Sequence, residues 1–245
     1  MKIFIPWYLK MTRNKFTRPF KPIAMRKKSA LLVSAPNALK DFIRTLPFLE
    51  NLRARGSVSL FLPRTFEVFT RHLKPGLFEY FFFEKIPVLL SREFKAWQKR
   101  FQEMPFETLI ETNNPANIHL PYLVTAEKRF AFYDPKAYPY YNILIKGGLK
   151  TLQDFFQFDK SNPKKIFHIT ETETRKLDKQ LGKKHPLLFV AGPDDREWAG
   201  DKFILGRDFL PDADIAKIIY LCDAYHGPDD EWRAVAKLFD KPVLV

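Results

Sequence analysis

Two short acidic turns hold the residues of this sequence that are best placed to do chemistry. Residues 192–195 and 227–230 share the sequence Gly-Pro-Asp-Asp, and each follows a predicted strand and opens a predicted helix. The backbone N–H groups at a helix N-terminus can bind an anion such as phosphate. An Asp at the same place instead caps the helix with its own carboxylate. Local physics favours capping at both turns.

A further carboxylate, Asp41, stands beside Lys40 at the start of another predicted helix. An ionised carboxylate in a cleft can take the proton of a hydroxyl group and so act as a general base. Asp is also a common helix N-cap. Lys40 can pair with Asp41 or attract a phosphate. The sequence leaves these alternatives open.

Other common catalytic patterns are missing from the sequence. It contains no Gly-x-Gly-x-x-Gly, no Walker loop and no Gly-x-Ser-x-Gly. One cysteine, Cys222, excludes an intramolecular disulfide. The five histidines lack metal-ligand spacing, so we predict no metal site and no cofactor; they are His72, His119, His168, His185 and His226.

Alternating apolar segments must position the carboxylates. A strand at 30–33, an amphipathic helix at 42–52 and a strand at 58–62 form a strand–helix–strand unit, which implies parallel strands. The pattern continues with strands predicted at 80–83, 108–111, 129–133, 187–191, near 224 and at 243–245, and with helices at 66–73, 94–101, 143–156, 172–181, 215–221 and 232–239. This alternation predicts an α/β fold with doubly wound sheets.

The positive charge of the chain is concentrated at its N-terminus. The formal net charge is +13, and residues 1–28 hold nine Lys or Arg and no acidic residue, which leaves +4 for the remainder. Such an arm favours phosphate, as found in anionic lipid or nucleic acid. Trp and Tyr beside basic residues also suit a membrane surface. The alternatives are a solvated tail or an arm folded over the first domain.

Membrane or acceptor contact is therefore predicted for seven arm residues that are aromatic or basic: Trp7, Tyr8, Lys10, Arg13, Lys15, Arg18 and Lys21. No apolar run approaches the roughly 20 residues that span a bilayer. We expect a cytoplasmic protein, peripheral on the inner face of the cytoplasmic membrane.

Three segments resemble glycosyltransferase family 9, which includes the bacterial lipopolysaccharide heptosyltransferases. Residues 37–47 are similar to the family's first strand-to-helix turn, with Ala-Leu-x-Asp followed by Thr-Leu-Pro. Residues 223–243 resemble its last conserved block, in which Asp-Thr-Gly-Pro-x-His opens an Ala-rich helix before a Pro-Val strand. Between them, residues 192–195 resemble its Gly-Gly-x-x-Glu turn. The resemblance covers roughly 29–62 and 187–245.

The resemblance implies a GT-B-like fold, in which two Rossmann-like domains with parallel sheets face a cleft. Acceptor binds mainly to the first domain and nucleotide-sugar to the second. It implies Asp41 as the catalytic base, and it gives Lys40, Gly192, Asp195, Asp229 and Asp230 as the donor-binding residues.

Four parts of the chain follow from this organisation. We predict a basic aromatic arm at 1–28, an N-terminal acceptor-side domain at 29–145, a linker at 146–165 and a C-terminal donor-side domain at 166–245. The last is abbreviated, because family members usually continue with another βα unit and with C-terminal helices.

The donor site departs from the family pattern. Asp230, Glu231 and Trp232 stand where the family has Thr, Gly and Pro, and Ala234 stands where it has His. A diphosphate would meet like charge there, at a cost on the order of a few kcal/mol. Lys40 replaces a glycine that lets the backbone approach a ligand closely. These departures predict impaired or lost sugar-nucleotide binding.

Three functions are compatible with the sequence. The first is a non-catalytic relative that binds partners, including protein partners, in envelope glycan or lipopolysaccharide assembly. The second is an active glycosyltransferase that moves a sugar from a nucleotide-sugar to a membrane-linked, phosphorylated glycolipid with Asp41 as base. The third, nucleic-acid binding, has the least support, because no recognition motif is present.

Overall fold

Two parallel sheets with flanking helices make up the structure, a computed structural model that describes residues 9–13, 29–158, 162, 165–181, 187–191, 203–206 and 214–244. Within these ranges the strands are β1 (Ser29–Ser34), β2 (Gly56–Pro63), β3 (Glu79–Phe83), β4 (Thr108–Glu111), β5 (Lys128–Phe132), β6 (Ile143–Ile145), β7 (Leu187–Val190), β8 (Phe203–Gly206), β9 (Ala224–His226) and β10 (Val243–Leu244). The helices are α1 (Leu39–Leu52), α2 (Glu67–Thr70), α3 (Arg92–Gln102), α4 (Leu120–Leu123), α5 (Leu149–Phe155), α6 (Glu171–Gln180), α7 (Ile215–Leu221) and α8 (Glu231–Leu238), with a 3₁₀ turn at Arg64–Phe66.

The first sheet has the strand order β3-β2-β1-β4-β5-β6, and each neighbouring pair is parallel. This is the order of a doubly wound dinucleotide-binding fold, in which the topology reverses between β1 and β4. The central strands β1 and β4 are buried on both faces, so apolar residues follow one another without alternation at 31–33 and 109–110. Ligands of such sheets bind beyond the carboxyl ends of the strands at the reversal point.

Aromatic side chains fill one face of the first sheet. The ring of Phe61 on β2 lies 4.5 Å from that of Phe83 and 5.1 Å from that of Trp97. Phe101 of α3 contacts Phe61 and Phe81 edge to face. Such pairs contribute about 0.5–1.5 kcal/mol beyond the apolar area that they bury. These four phenylalanines are therefore part of one aromatic core.

Among the residues that the structure describes, the second sheet has four strands in the order β10-β9-β7-β8, again all parallel. Its topology reverses between β7 and β9, and α8 begins five residues after β9 ends. Gly227, directly after β9, lies so close to β7 that an added Cβ would come within 2.8 Å of the Ala191 Cβ. A residue without a side chain is needed where the two strand ends meet.

The described residues divide into two compact units. The first lies within Met1–Asn37, Phe48–Glu67 and Phe78–Lys160, and the second lies within Ala38–Pro47, Val68–Leu77 and Ser161–Val245. Helix α1 therefore gives its first residues to the second unit and its last residues to the first. No helix among the described residues is long and apolar enough to cross a membrane.

The α/β fold class predicted from the alternation is confirmed, with six strands in one sheet and four in the other. The single helix predicted for 143–156 is wrong at its start, because Ile143–Ile145 form β6 and pair with β5. The helix begins only at Leu149, after Gly147 adopts a left-handed backbone conformation (φ +123°). Helix α4 and strand β8 were not predicted, since four-residue elements give little periodicity.

Candidate functional site

Asp230 caps helix α8 with its own side chain. Its Oδ1 accepts hydrogen bonds from the backbone N–H groups of Trp232 and Arg233, each at 3.0 Å. The hydroxyl of Tyr225 on β9 lies 3.1 Å from the same oxygen. These two amides are the donors that a helix N-terminus offers to an external phosphate. In this chain a carboxylate already occupies them.

Tyr225 fixes the position of this cap. Its ring is fully buried, stacks on Phe189 of β7 at 5.7 Å, and leaves the hydroxyl at the carboxyl edge of the second sheet. The close approach at Gly227 keeps β9 tight against β7. The Asp230 carboxylate is therefore in contact with a buried side chain of β9 as well as with the first turn of α8.

Lys40 and Asp229 form an ion pair within the second unit. The Lys40 ammonium contacts the Asp229 carboxylate and lies 3.4 Å from the Asp229 backbone oxygen. This contact, followed by the charges of Lys40, Arg233 and Lys237, lowers the pKa of Asp229 below its ordinary value. The pair keeps a negative carboxylate beside the start of α8 and engages the Lys40 ammonium that could attract a phosphate.

Asp41 lies in the first turn of α1 and pairs with Arg44 at 3.1 Å. The alternative that Asp41 is the N-cap of this helix is wrong, because α1 begins two residues earlier at Leu39. The alternative pairing of Lys40 with Asp41 is also not found, since Lys40 reaches Asp229. The Asp41 side chain is 54% exposed, so its carboxylate is accessible.

Trp232 turns away from the start of α8 into an aromatic cluster. Only 5% of the residue is exposed, and its ring contacts His72 at 5.2 Å and Phe69 at 6.1 Å. A tryptophan side chain that projected into the turn before α8 would crowd a phosphate bound there. Because the Trp232 ring is buried, it does not crowd the turn. The carboxylates of Asp229 and Asp230 are then the main groups that would repel an anion.

A polar cluster lies at the reversal point of the first sheet, within the first unit. Glu111, the last residue of β4, accepts from the backbone N–H and the Nδ2 of Asn113 at 2.8 and 2.6 Å. Asn113 Nδ2 also donates to the Ala35 carbonyl at 2.9 Å, and the Asn37 backbone N–H donates to Asn113 Oδ1 at 2.9 Å. The cluster joins the loop after β4 to the loop after β1.

Burial controls the ionisation of Glu111. The residue is 1% exposed, and the loss of hydration raises its pKa to about 7, although the bonds from Asn113 favour the charged form. The neighbouring Tyr141 is also fully buried, and its pKa is raised by burial and by Glu111. Glu111 is thus a buried acid with a raised pKa at the carboxyl edge of the first sheet.

Part of the predicted site lies outside the described residues. This applies to the donor-side residues Gly192 and Asp195 and to the arm residues Trp7, Tyr8, Lys15, Arg18 and Lys21. Lys10 and Arg13 are described and exposed. They flank Leu9 and Thr12, which dock on the first unit through the 8% exposed Leu9 side chain and a 2.7 Å contact between the Thr12 and Tyr122 hydroxyls.

Comparison with known proteins identifies the fold of this chain. No protein-family model matches the sequence, and no curated protein matches it significantly. A family 9 glycosyl transferase from Veillonella parvula superposes with a TM-score of 0.63 at 13% identity, over 90% of this chain and 81% of that chain. The chain has the fold of the family 9 glycosyltransferases.

Two Escherichia coli structures have the same family 9 fold. The ADP-heptose lipopolysaccharide heptosyltransferase II matches with a TM-score of 0.59 at 13% identity, over 87% of this chain and 83% of that chain. Heptosyltransferase WaaC with ADP-2-deoxy-2-fluoro heptose matches with a TM-score of 0.55 at 11% identity, over 87% of each chain. At such low identity, the likeness establishes the fold and leaves the function to be argued from the residues.

The sequence did not reveal Glu111, Asn113 or Tyr225 as members of the site. A carboxylate at the end of an apolar strand, directly before Thr-Asn-Asn, was the available signal for Glu111. Its partners became identifiable only once the β1–β4 pairing was known. Among the residues that the structure describes, no group of three or more His, Cys, Asp or Glu side chains could hold a metal ion.

Proposed function

We propose that this protein is a heptosyltransferase-like member of the glycosyltransferase fold that acts in envelope glycan assembly by binding and does not hold a nucleotide-sugar at α8. The observation that carries the proposal is the Asp230 carboxylate on the Trp232 and Arg233 amides. A diphosphate needs those donors and would meet the charges of Asp229 and Asp230 at close range. Two like charges 4 Å apart repel by about 1–4 kcal/mol, depending on how far water screens them.

The backbone amides of Trp232 and Arg233 would become available to a diphosphate if the Asp230 side chain turned away, but this change costs free energy. An N-cap contributes about 1 kcal/mol to a helix, and the Tyr225 hydroxyl would also lose its contact with Oδ1. Lys40 offsets little of this free-energy cost, because its ammonium already forms an ion pair with the Asp229 carboxylate. Both effects oppose nucleotide binding in addition to the direct repulsion.

Calorimetric titration with ADP, UDP and GDP tests the proposal. The full-length protein is compared with the double variant Asp230→Thr/Glu231→Gly, which introduces the Thr-Gly pair of the resembling family. We expect no heat of binding for the natural sequence at millimolar nucleotide and measurable binding for the variant. The variant Glu231→Gln serves as control, since it removes one charge and leaves the cap in place.

Micromolar binding of any of the three nucleotides by the natural sequence would contradict the proposal. It would do so most clearly if Asp230→Thr weakened that binding, because Asp230 would then be a ligand of the nucleotide rather than its competitor.

An active glycosyltransferase is the second candidate, and the exposure of Asp41 favours it. The carboxylate is 54% exposed and has an ordinary ion-pair partner in Arg44, so it could accept a proton from an acceptor hydroxyl. The candidate predicts release of nucleoside diphosphate from a nucleotide-sugar in the presence of glycolipid acceptor. That release should fall by about a hundredfold or more in Asp41→Asn, which keeps the size of the side chain and removes the base.

A further inference from the structure

A cavity at the carboxyl end of β3 is not explained by the function proposed above. Its volume is about 520 Å³, within the usual range of small-ligand sites, and the strand end, the loop 84–91 and helix α3 surround it. Phe82, Phe83, Ile86, Val88 and Trp97 give it a mostly apolar wall. All of these residues belong to the first unit.

The loop beside the cavity exposes apolar side chains where a soluble loop would expose polar ones. Pro87 and Leu89 are buried and anchor the loop, whereas the alternate residues Ile86, Val88 and Leu90 are 40%, 43% and 37% exposed. Three large apolar side chains on one short exposed segment form a patch, and such patches mark interaction surfaces.

The backbone of Leu90, within this apolar patch, has a strained conformation. Its backbone has φ +72°, in a turn that the Ser91 N–H closes on the Val88 carbonyl at 2.9 Å. Gly or Asn is preferred in such a conformation, because a Cβ is strained there. Strain of this kind gathers at functional sites.

Helix α3 supplies positive charge next to the patch. Residues 84–100 contain five Lys or Arg and two Glu, a net charge of +3. Arg92, Lys95 and Lys99 recur at helical spacing and are all exposed. Of the two acids, Glu84 is paired with Arg64 at 2.6 Å.

Residues 9–13 of the basic arm lie on the same side of the first unit. Leu9 belongs to the aromatic core cluster that contains Phe94 and Phe101 of α3. Tyr122, which contacts Thr12, also accepts from Gln98 of α3 at 3.0 Å through its backbone oxygen. Lys10, Met11 and Arg13 are therefore exposed near the basic helix.

We propose that this cavity binds an acyl chain of an anionic phospholipid, with Ile86, Val88 and Leu90 inserted at the bilayer surface and α3 facing the headgroups. Apolar side chains rimmed by Lys and Arg are the arrangement that holds a protein in the membrane interface, where apolar burial and attraction to anionic lipid act together. The proposal depends only on the first unit, so nucleotide binding at α8 does not bear on it.

Vesicle flotation with the full chain tests the surface. We expect binding to vesicles that contain phosphatidylglycerol and much weaker binding to pure phosphatidylcholine. Ile86→Ser/Val88→Ser and, separately, Lys95→Glu/Lys99→Glu should each weaken binding by about tenfold or more. Val68→Ser is the matched control, because Val68 is 57% exposed in α2 of the second unit and should change nothing.

Quenching of Trp97 tests the cavity itself. Phosphatidylglycerol brominated on its acyl chain should quench a part of the tryptophan emission that is absent in Trp97→Phe. Equal thermal melting of all surface variants excludes misfolding as the cause of lost binding. The proposal fails if Ile86→Ser/Val88→Ser floats as well as the natural sequence, if neutral and anionic vesicles bind equally, or if the Trp97 component is not quenched.

Discussion

Asp230 caps the N-terminus of α8, because one carboxylate oxygen accepts from two backbone amides and lies beside a buried tyrosine hydroxyl. The sequence predicted the cap from an Asp that precedes a helical pattern, and it predicted the conflict with a diphosphate from the resemblance. It did not predict the part played by Tyr225, since the contact spans the β9 strand end and the turn before α8.

Replacement of Asp230 by Ala tests the cap. We expect the free energy of unfolding to fall by about 1 kcal/mol, because two N-terminal amides lose their acceptor. Asp230→Asn should retain most of the stability, since its side-chain oxygen can still accept. Urea denaturation of the three proteins measures the difference, and equal stability of the Ala variant would show that the cap is not formed in solution.

Glu111 predicts a specific pH dependence of stability. Its pKa is raised to about 7 in the folded protein by burial, from an ordinary value of 4.5. The folded state therefore binds this proton more tightly than the unfolded state. The stabilisation is fully present below pH 4.5 and is lost as the pH rises through 7, with a total on the order of 3 kcal/mol.

Glu111→Gln isolates this effect, because glutamine keeps an oxygen that can accept from Asn113 and cannot ionise. Between pH 5 and pH 8, the natural sequence should lose stability relative to the variant by about 2–3 kcal/mol in urea denaturation. The comparison cancels the titration of other groups, including His119, whose pKa is lowered by burial. Parallel pH profiles for the two proteins would rule out a buried, titrating Glu111.

The ends of β7 and β9 show at the scale of elements how the second sheet positions α8. The strand pairing places Val190 opposite His226, and Gly227 follows at the point of closest approach. The sequence predicted both strands and the helix. It could not predict the need for Gly227, because that need arises from a contact across 36 residues of chain.

Gly227→Ala is expected to lower the free energy of unfolding by about 1–3 kcal/mol. A Cβ there would lie 2.8 Å from the Ala191 Cβ, 2.9 Å from the Tyr225 hydroxyl and 3.1 Å from the Ala191 carbonyl oxygen. Gly148→Ala is the control, because a Cβ at that position meets nothing within 4 Å. Thermal denaturation of both variants checks the difference, and an unchanged melting temperature for Gly227→Ala would contradict the tight approach of β9 to β7.

The helices and strands that the sequence did not predict correctly, namely α4, β6 and β8, have four residues or fewer. The sequence predicts a helix that starts at β6, because Ile143, Leu144 and Ile145 also suit a buried helical face. The pairing with β5 decides the matter, and it is a non-local contact. The longer amphipathic helices α1, α3 and α8 were predicted correctly, since each buries an apolar stripe of several turns.

For the whole molecule, the alternation of strands and helices was sufficient to predict the α/β class, and the order and spacing of residues 37–47, 192–195 and 223–243 carried the family 9 resemblance. The TM-score of 0.63 over 90% of the chain supports that fold at an identity of only 13%. The fold does not establish the function, because nucleotide binding depends on a few residues at a strand end. These residues vary independently of the rest of the fold. Here those residues are acidic.

A crystal soaked in ADP is the most direct test of the claim that the Asp230 carboxylate occupies the N-terminal amides of α8. We predict no diphosphate density at the start of this helix, with Asp230 Oδ1 still within hydrogen-bond distance of the Trp232 and Arg233 amides. Diphosphate bound to those two amides, with the Asp230 side chain displaced, would contradict the claim.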